Sequence, residues 1–244
     1  PVLVDNQVEA VRPIFDFAGE ELIGAVFNTG IPEARFIDPD HDTARVWRSL
    51  QAALPGYALR ISGFSRDGKR AGVTVYSDRE PGTFMLLDVE NLHLHELAAS
   101  RPWVDPERMA RVRPVQLEAR DGLPLHGFLT LPPGVDEPRE LPLIVEVHGG
   151  PYGIYDTWGW QPNAQAFASR GYAVLQINFR GSGGYGHQFE HEAYGQWGAE
   201  MQDDITDATR WAIEQGFADA ERICISGGSY GGYAAMMGVI REPD

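Results

Sequence analysis

The run Gly227-Gly228-Ser229-Tyr230-Gly231 constrains this chain more than any other feature, because of what stands on either side of it. The apolar segment Ile223–Ser226 leads straight into the run, and Gly232-Tyr233-Ala234-Ala235 opens a helical pattern that continues to Ile240. A serine on a tight turn between a strand and a helix has the form of a nucleophile elbow. Such a turn is strained, and small neighbours let the helix pack against the strand. Glycines at 227, 228, 231 and 232 meet that need. The helix start also aims its dipole and its unpaired N–H groups at the serine oxygen, which favours an alkoxide or a tetrahedral oxyanion. Ser229 is therefore the candidate nucleophile. A glycine-rich turn that merely holds a serine has the same five letters; the flanking strand and helix set this one apart.

Upstream, the texture is that of alternating strands and helices. Val115–Ala119 and Leu125–Leu131 read as a strand pair joined across Asp121-Gly122, and Leu143–Val147 as a strand buried on both faces. A helix (about Trp160–Arg170), a strand (Ala173–Asn178), a helix (about Met201–Gln215) and the strand Arg222–Ser226 follow. This alternation predicts an α/β fold: an α/β-hydrolase with a mostly parallel sheet covered on both faces. Residues 14–100 differ. Short apolar runs at Glu21–Phe27, Ala58–Phe64, Arg70–Tyr76, Thr83–Asp88 and Leu92–Leu97 alternate with turns such as Arg66-Asp67-Gly68-Lys69. Four strands over 58–97 have the spacing of one β-propeller blade. His41–Leu54 reads as a helix ended by Pro55-Gly56. The proline-rich stretch Ser100–Pro114 reads as an interdomain crossing, which gives residues 1–110 as the last part of a propeller and 111–244 as the start of a hydrolase domain.

Two further glycine motifs follow strands. His148-Gly149-Gly150-Pro151 comes after the buried strand, where exposed backbone N–H groups suit the second half of an oxyanion hole. His148 precedes the serine in sequence and reads as loop-shaping, not as the catalytic base. Asn178 to Gly186, NFRGSGGYG, has no phosphate-loop pattern and no tight helix start behind it. It reads as a structural loop on the site rim, with Arg180 in a salt bridge. His93/His95 and His187/His191 lack a third ligand and read as surface pairs. The Glu20-Glu21 doublet reads as a solvated strand edge, and Cys224, the only cysteine, as a buried thiol that excludes an internal disulfide.

The formal charge of −15 repels phosphate backbones and argues against a nucleic-acid partner, and no apolar run is long enough to span a bilayer. Neither metal nor organic cofactor is called for. In hydrolases of this kind an Asp or Glu and then a His follow the serine. Fifteen residues follow Ser229, and they contain Glu242 and Asp244 but no histidine. The expectation is a fragment cut at both ends, inactive by itself, whose last strand is an open edge. Bacterial cytoplasm and periplasm both fit, and oligomeric state is not readable.

The three motifs at 148–151, 178–186 and 227–233, in this order and spacing, resemble the prolyl oligopeptidase family (S9), with the acylaminoacyl-peptidase and dipeptidyl-aminopeptidase-like members most similar. The resemblance covers residues 111–244 and, less specifically, the blade-like strands. It implies a propeller joined to a hydrolase domain and a serine peptidase acting on short peptides. It also implies Ser229 as nucleophile, with the N–H groups of Tyr230 and Gly150 as oxyanion donors. An esterase on the same fold and a non-catalytic binding scaffold are the rival readings.

Overall fold

Short polar turns set the strand boundaries in the first part of the chain. In the computed structural model, which describes residues 3, 5, 7–28 and 30–242, the Asp16 carboxylate accepts from the N–H groups of Glu20 and Glu21 at 2.7 and 3.0 Å. Gly19 turns the chain at φ 77°. This closes a hairpin between β1 (Ala10–Phe15) and β2 (Leu22–Phe27), to which β3 (Glu33–Phe36) adds antiparallel. Neither β1, with its internal Pro13, nor the four-residue β3 carries a strand pattern that sequence reading detects.

Helix α1 (Asp42–Ala53) starts where His41 Nδ1 accepts from the N–H of Thr43, and it buries Val46, Trp47 and Leu50. Strands β4 (Ala58–Phe64), β5 (Arg70–Tyr76), β6 (Thr83–Asp88) and β7 (His93–Ala99) form an antiparallel meander in chain order. Asp67 caps its first turn by accepting from Ser65 Oγ and the Lys69 N–H, with Gly68 at φ 69°. One apolar core gathers Ile23 and Val26, Trp47 and Leu50, and Leu59, Val73, Val75 and Leu87. Each such side chain contributes roughly 1.5–3 kcal/mol by leaving water.

The chain divides into two units between Glu107 and Arg108, within a single 3₁₀ turn. The second unit holds β8 (Val112–Glu118), β9 (Pro124–Thr130), β10 (Leu141–Val147), α2 (Pro162–Ala168), β11 (Ala173–Asn178), α3 (His187–His191), α4 (Glu200–Glu214), β12 (Ala218–Gly227) and α5 (Tyr230–Arg241). Its sheet runs in the order β12-β10-β11-β9-β8. β10 pairs parallel with β11 and β12, while β9 pairs antiparallel with β11 and β8. The sheet is thus mixed and not mostly parallel. A parallel neighbour needs a crossover, and helices supply one only between β10 and β11 and between β11 and β12. No helix joins β8 to β9 or β9 to β10.

Residues alternate between the two faces of this sheet. Leu143, Val145, Val147, Leu175 and Ile177 pack with Met201, Ile205, Ala208 and Ala212 of α4 and Ala234 of α5. The opposite face is covered by α2, with Ala164 and Ala168 fully buried over β9 and β11. β12 is an edge strand. Among the described residues no helix is long and apolar enough to cross a membrane.

Candidate active site

Ser229 sits where β12 gives way to α5, at φ 56° and ψ −120°. A side chain at positive φ outside glycine costs about 1–3 kcal/mol and persists only where its surroundings enforce it. Here Gly231 N–H donates to Gly228 O (2.9 Å) and Gly232 N–H to Ser229 O (3.0 Å), which tightens the turn. The serine is exposed, and its hydroxyl has no hydrogen-bond partner among the described residues.

Close approach explains two of the four glycines. A Cβ on Gly227 would lie 2.5 Å from the Val147 carbonyl oxygen, and one on Gly231 would fall directly on that same oxygen. Gly228 faces open space and Gly232 meets Gly227 O at an ordinary-to-tight 3.4 Å, so neither is required for room. Helix propensity favours alanine over glycine by about 1 kcal/mol, but the overlap at 231 outweighs it. Gly231→Ala is expected to lose about 1–3 kcal/mol net in urea denaturation, whereas Gly232→Ala should be neutral or stabilising. A neutral Gly231→Ala would show that α5 can shift freely against β10.

Beside the serine lies the turn after β10. A Cβ on Gly149 would stand 3.3 Å from Ser229 Cβ and 3.9 Å from its Oγ, so this glycine borders the nucleophile. The N–H groups of Gly150 and Tyr230 have no acceptor among the described residues. Tyr230 N–H is free because it opens a helix. The geometry therefore brings Ser229 and Tyr230 up to the turn that bears Gly149 and Gly150, with Gly149 making the contact, at one end of the parallel strands. An aromatic group surrounds them that sequence reading missed. Trp197 packs edge-on against Tyr230 at 4.9 Å and donates to Tyr152 OH at 3.1 Å, and Tyr152 meets Tyr194 at 4.8 Å. Trp197 and Tyr194 are half exposed. Aromatic residues scattered over loops have no periodicity to betray them.

The second glycine motif braces this turn. Gly153 N–H donates to Gly181 O (3.1 Å) and Gly183 N–H to Ile154 O (3.2 Å), and a Cβ on Gly183 would lie 2.5 Å from Gly153 O. Asn178, fully buried, accepts from Asp156 N–H (2.7 Å) and donates to Asp156 O (3.0 Å). The loop is followed at once by α3, contrary to the expectation that no helix starts there; Gly186 at φ 97° permits the start. Arg180 is buried, donating through its N–H and Nε to Asp204 Oδ2 (2.8 and 2.9 Å) and through Nη2 to Oδ1 (2.7 Å). It also pairs with Asp121 at 2.8 Å and lies 3.7 Å from Glu200. The salt bridge foreseen for Arg180 is thus the centre of a buried network tying the loop to α4 and to the β8–β9 turn.

A cleft of ≈ 480 Å³ opens beside the elbow, lined by Glu146, His148, Gly149, Asp156, Asn163, Gln176 and Ser226–Gly228. Gln176 donates to Asp156 Oδ1 (3.1 Å) and Asn163 to Glu146 Oε1 (2.9 Å), while the second oxygen of each acid is buried without a partner. Burial, and then the charge on Glu146, hold the Asp156 carboxyl at about 7. Unfolded, it would release its proton near 3.8. Between these limits the folded state binds the proton more tightly, so this group's stabilising contribution is complete below about 4, declines as pH rises and is gone above about 7. Asp156→Asn is expected to raise the urea midpoint at pH 8 and leave it level with the parent near pH 3.5, where the carboxyl is protonated in both states. Equal gains at both pH values would place the effect elsewhere than in the ionisation.

The remaining candidates fall outside this centre. The His93/His95 and His187/His191 rings touch at 4.4 and 3.7 Å on exposed surfaces, and among the described residues no group of three or more His, Cys, Asp or Glu has metal-site geometry. Glu20 and Glu21 are exposed ahead of β2. Cys224 is exposed, not buried as expected. Its neighbours Ile223 and Ile225 face the core cluster of α4 and α5, so Cys224 faces the opposite side, where α2 packs mainly over β9 and β11. Glu242 pairs with Arg210 at 2.9 Å, and Asp244 lies outside the described residues.

Residues 158–244 match the sequence model of the prolyl oligopeptidase family, peptidase S9. The chain is 37% identical over 201 residues to dipeptidyl aminopeptidase BIII of Pseudoxanthomonas mexicana, covering 80% of this chain and 29% of that protein. It is 31% identical over 209 residues to dipeptidyl peptidase family member 6 of Caenorhabditis elegans, covering 78% of this chain and 28% of that one. It therefore spans under a third of the length of these curated relatives. Among solved structures, the acylaminoacyl peptidase of Pyrococcus horikoshii superposes with a TM-score of 0.67 at 24% identity, over 97% of this chain and 36% of the other. A puromycin-hydrolyzing peptidase of Mycobacterium tuberculosis gives 0.70 at 23%, over 89% and 33%. Family match and curated relatives agree with the three glycine motifs in making the chain similar to the prolyl oligopeptidase family, peptidase S9, and the structural neighbours share its fold.

Proposed function

We propose that Ser229 is the nucleophile of a serine peptidase that cleaves short peptides through an acyl-enzyme. The observation that carries this reading is the serine itself: an exposed, unbonded hydroxyl on a positive-φ turn, bordered by Gly149, with the N–H groups of Tyr230 and Gly150 lacking an acceptor among the described residues. Ser229 Oγ attacks the scissile carbonyl carbon as its proton passes to a base. The carbonyl oxygen becomes an oxyanion that the two N–H groups stabilise, aided by the dipole of α5. Collapse of the tetrahedral intermediate expels the amine and leaves the acyl ester, which water then hydrolyses. None of the seven histidines follows Ser229 in the sequence, and none bonds its hydroxyl among the described residues.

The relatives, named as dipeptidyl and acylaminoacyl peptidases, support short peptides as the substrate class. On the same reading residues 1–110 are the last part of a β-propeller, for which the four-stranded meander speaks, and 111–244 the first part of the hydrolase domain. A fluorophosphonate probe applied to the full chain tests the proposal: peptide mapping should find the adduct on Ser229. Labelling at another residue, with Ser229 unmodified, would overturn it.

A further inference from the structure

His148 makes two contacts that together restrict where its protons can be. Its Nδ1 lies 2.8 Å from the carbonyl oxygen of Gly149, and its Nε2 lies 3.0 Å from Ser182 Oγ. The ring is stacked on Phe179 at 4.5 Å, so it cannot swing away. A carbonyl oxygen only accepts, so Nδ1 must carry a hydrogen; the tautomer protonated at Nε2 alone would set two lone pairs against each other at 2.8 Å. The Ser182 hydroxyl also lies 2.7 Å from Phe179 O and has one proton to give. Phe179 O accepts that proton together with the Ser182 N–H at 3.0 Å, so Nε2 takes only a share of it. The neutral ring protonated at Nδ1 keeps the bond to Gly149 O and leaves Nε2 facing the shared hydroxyl proton. Burial lowers the pKa of His148, which favours that neutral form.

The consequence lies in the peptide that Nδ1 holds. Gly149 O and Gly150 N–H belong to one planar trans peptide and point in opposite directions across it. Fixing the oxygen fixes the N–H. Gly149 lacks the Cβ that would restrict this peptide's rotation, and next to Ser229 there is no room for one. Something else must hold the plane.

We propose that His148, locked by Ser182, is the positioning residue that aims the Gly150 N–H at the oxyanion formed on attack by Ser229. This rests on the reading of Ser229 and Gly150 given above. It assigns the first and second glycine motifs a shared task, with Ser182 holding the far side of the His148 ring.

Two side chains separate the roles of the ring nitrogens. An asparagine at 148 places its amide nitrogen where Nδ1 stands and can still donate to Gly149 O. A glutamine reaches the Nε2 position and Ser182 but abandons the carbonyl. In the full chain, steady-state kinetics on a peptide amide should show His148→Gln losing ten- to hundred-fold in kcat with KM nearly unchanged. His148→Asn should recover most of that loss, and His148→Ala should match the glutamine variant. Affinity for a peptide aldehyde, which forms the tetrahedral adduct, should fall in parallel with kcat, while affinity for the amide product does not. Melting temperatures identify any variant that is merely unfolded. Equal activity in the asparagine and glutamine variants, or a loss confined to KM, overturns the positioning role. If Ser229→Ala itself retains hydrolysis, it is the nucleophile reading that falls, so the two failures are distinguishable.

Discussion

Ser229→Ala is expected to lower kcat/KM for peptide amides by about 10⁴- to 10⁶-fold, the scale of nucleophile loss in serine peptidases, and to abolish fluorophosphonate labelling. The residual rate reflects what positioning and the two N–H groups achieve without a nucleophile. A second substitution separates chemistry from architecture. Ser229→Gly removes the side chain from its positive φ, and should gain about 1 kcal/mol of stability while being as inactive as the alanine variant. Thermal melts and turnover on the same preparations read both quantities. Hydrolysis that survives either substitution would falsify the nucleophile assignment.

The largest stability effect is expected at Arg180. Its side chain is 6% exposed and that of Asp204 0%, so Arg180→Ala strands a carboxylate in the interior. That should cost about 3–5 kcal/mol in urea denaturation. The Arg120–Asp207 pair, with Arg120 43% exposed, makes contacts of similar length. Solvent screening holds its loss to about 1 kcal/mol or less. Replacing Arg180 and Asp204 together by leucine should recover much of the single-variant loss, because the penalty comes from the orphaned charge. A loss at Arg180 no larger than that at Arg120 would mean that water reaches the buried acid.

Elements with strong local signals were legible before any coordinates. Ala58–Phe64, Arg70–Tyr76, Thr83–Asp88 and Ala173–Asn178 have the boundaries expected of them, since each is an apolar run closed by turn chemistry. The elbow was readable because glycine, serine and the flanking periodicity all sit within about fifteen residues. What stayed hidden was non-local. Sheet order sets β9 beside β11 and β8 at the far edge, which no pattern within a strand encodes. The exposure of Cys224 follows from β12 being at an edge, away from the strands over which α2 mainly packs. Asp156 drew no notice in the sequence, and its shifted ionisation comes from burial in the fold and from the charge on Glu146.

Arg120 and Asp207 are 87 positions apart in the chain, and Asp121 meets Arg180 across a comparable gap. Such contacts close long loops, and they form only after much of the backbone entropy of the second unit has been lost. The order of assembly follows from this. The β8–β9 hairpin and α4 can each form early from local contacts, but the Arg180 loop that joins them becomes rigid late. The turn bearing Gly149 and Gly150 leans on that loop, so the geometry around Ser229 matures with the last cooperative step of folding and not with its own neighbourhood.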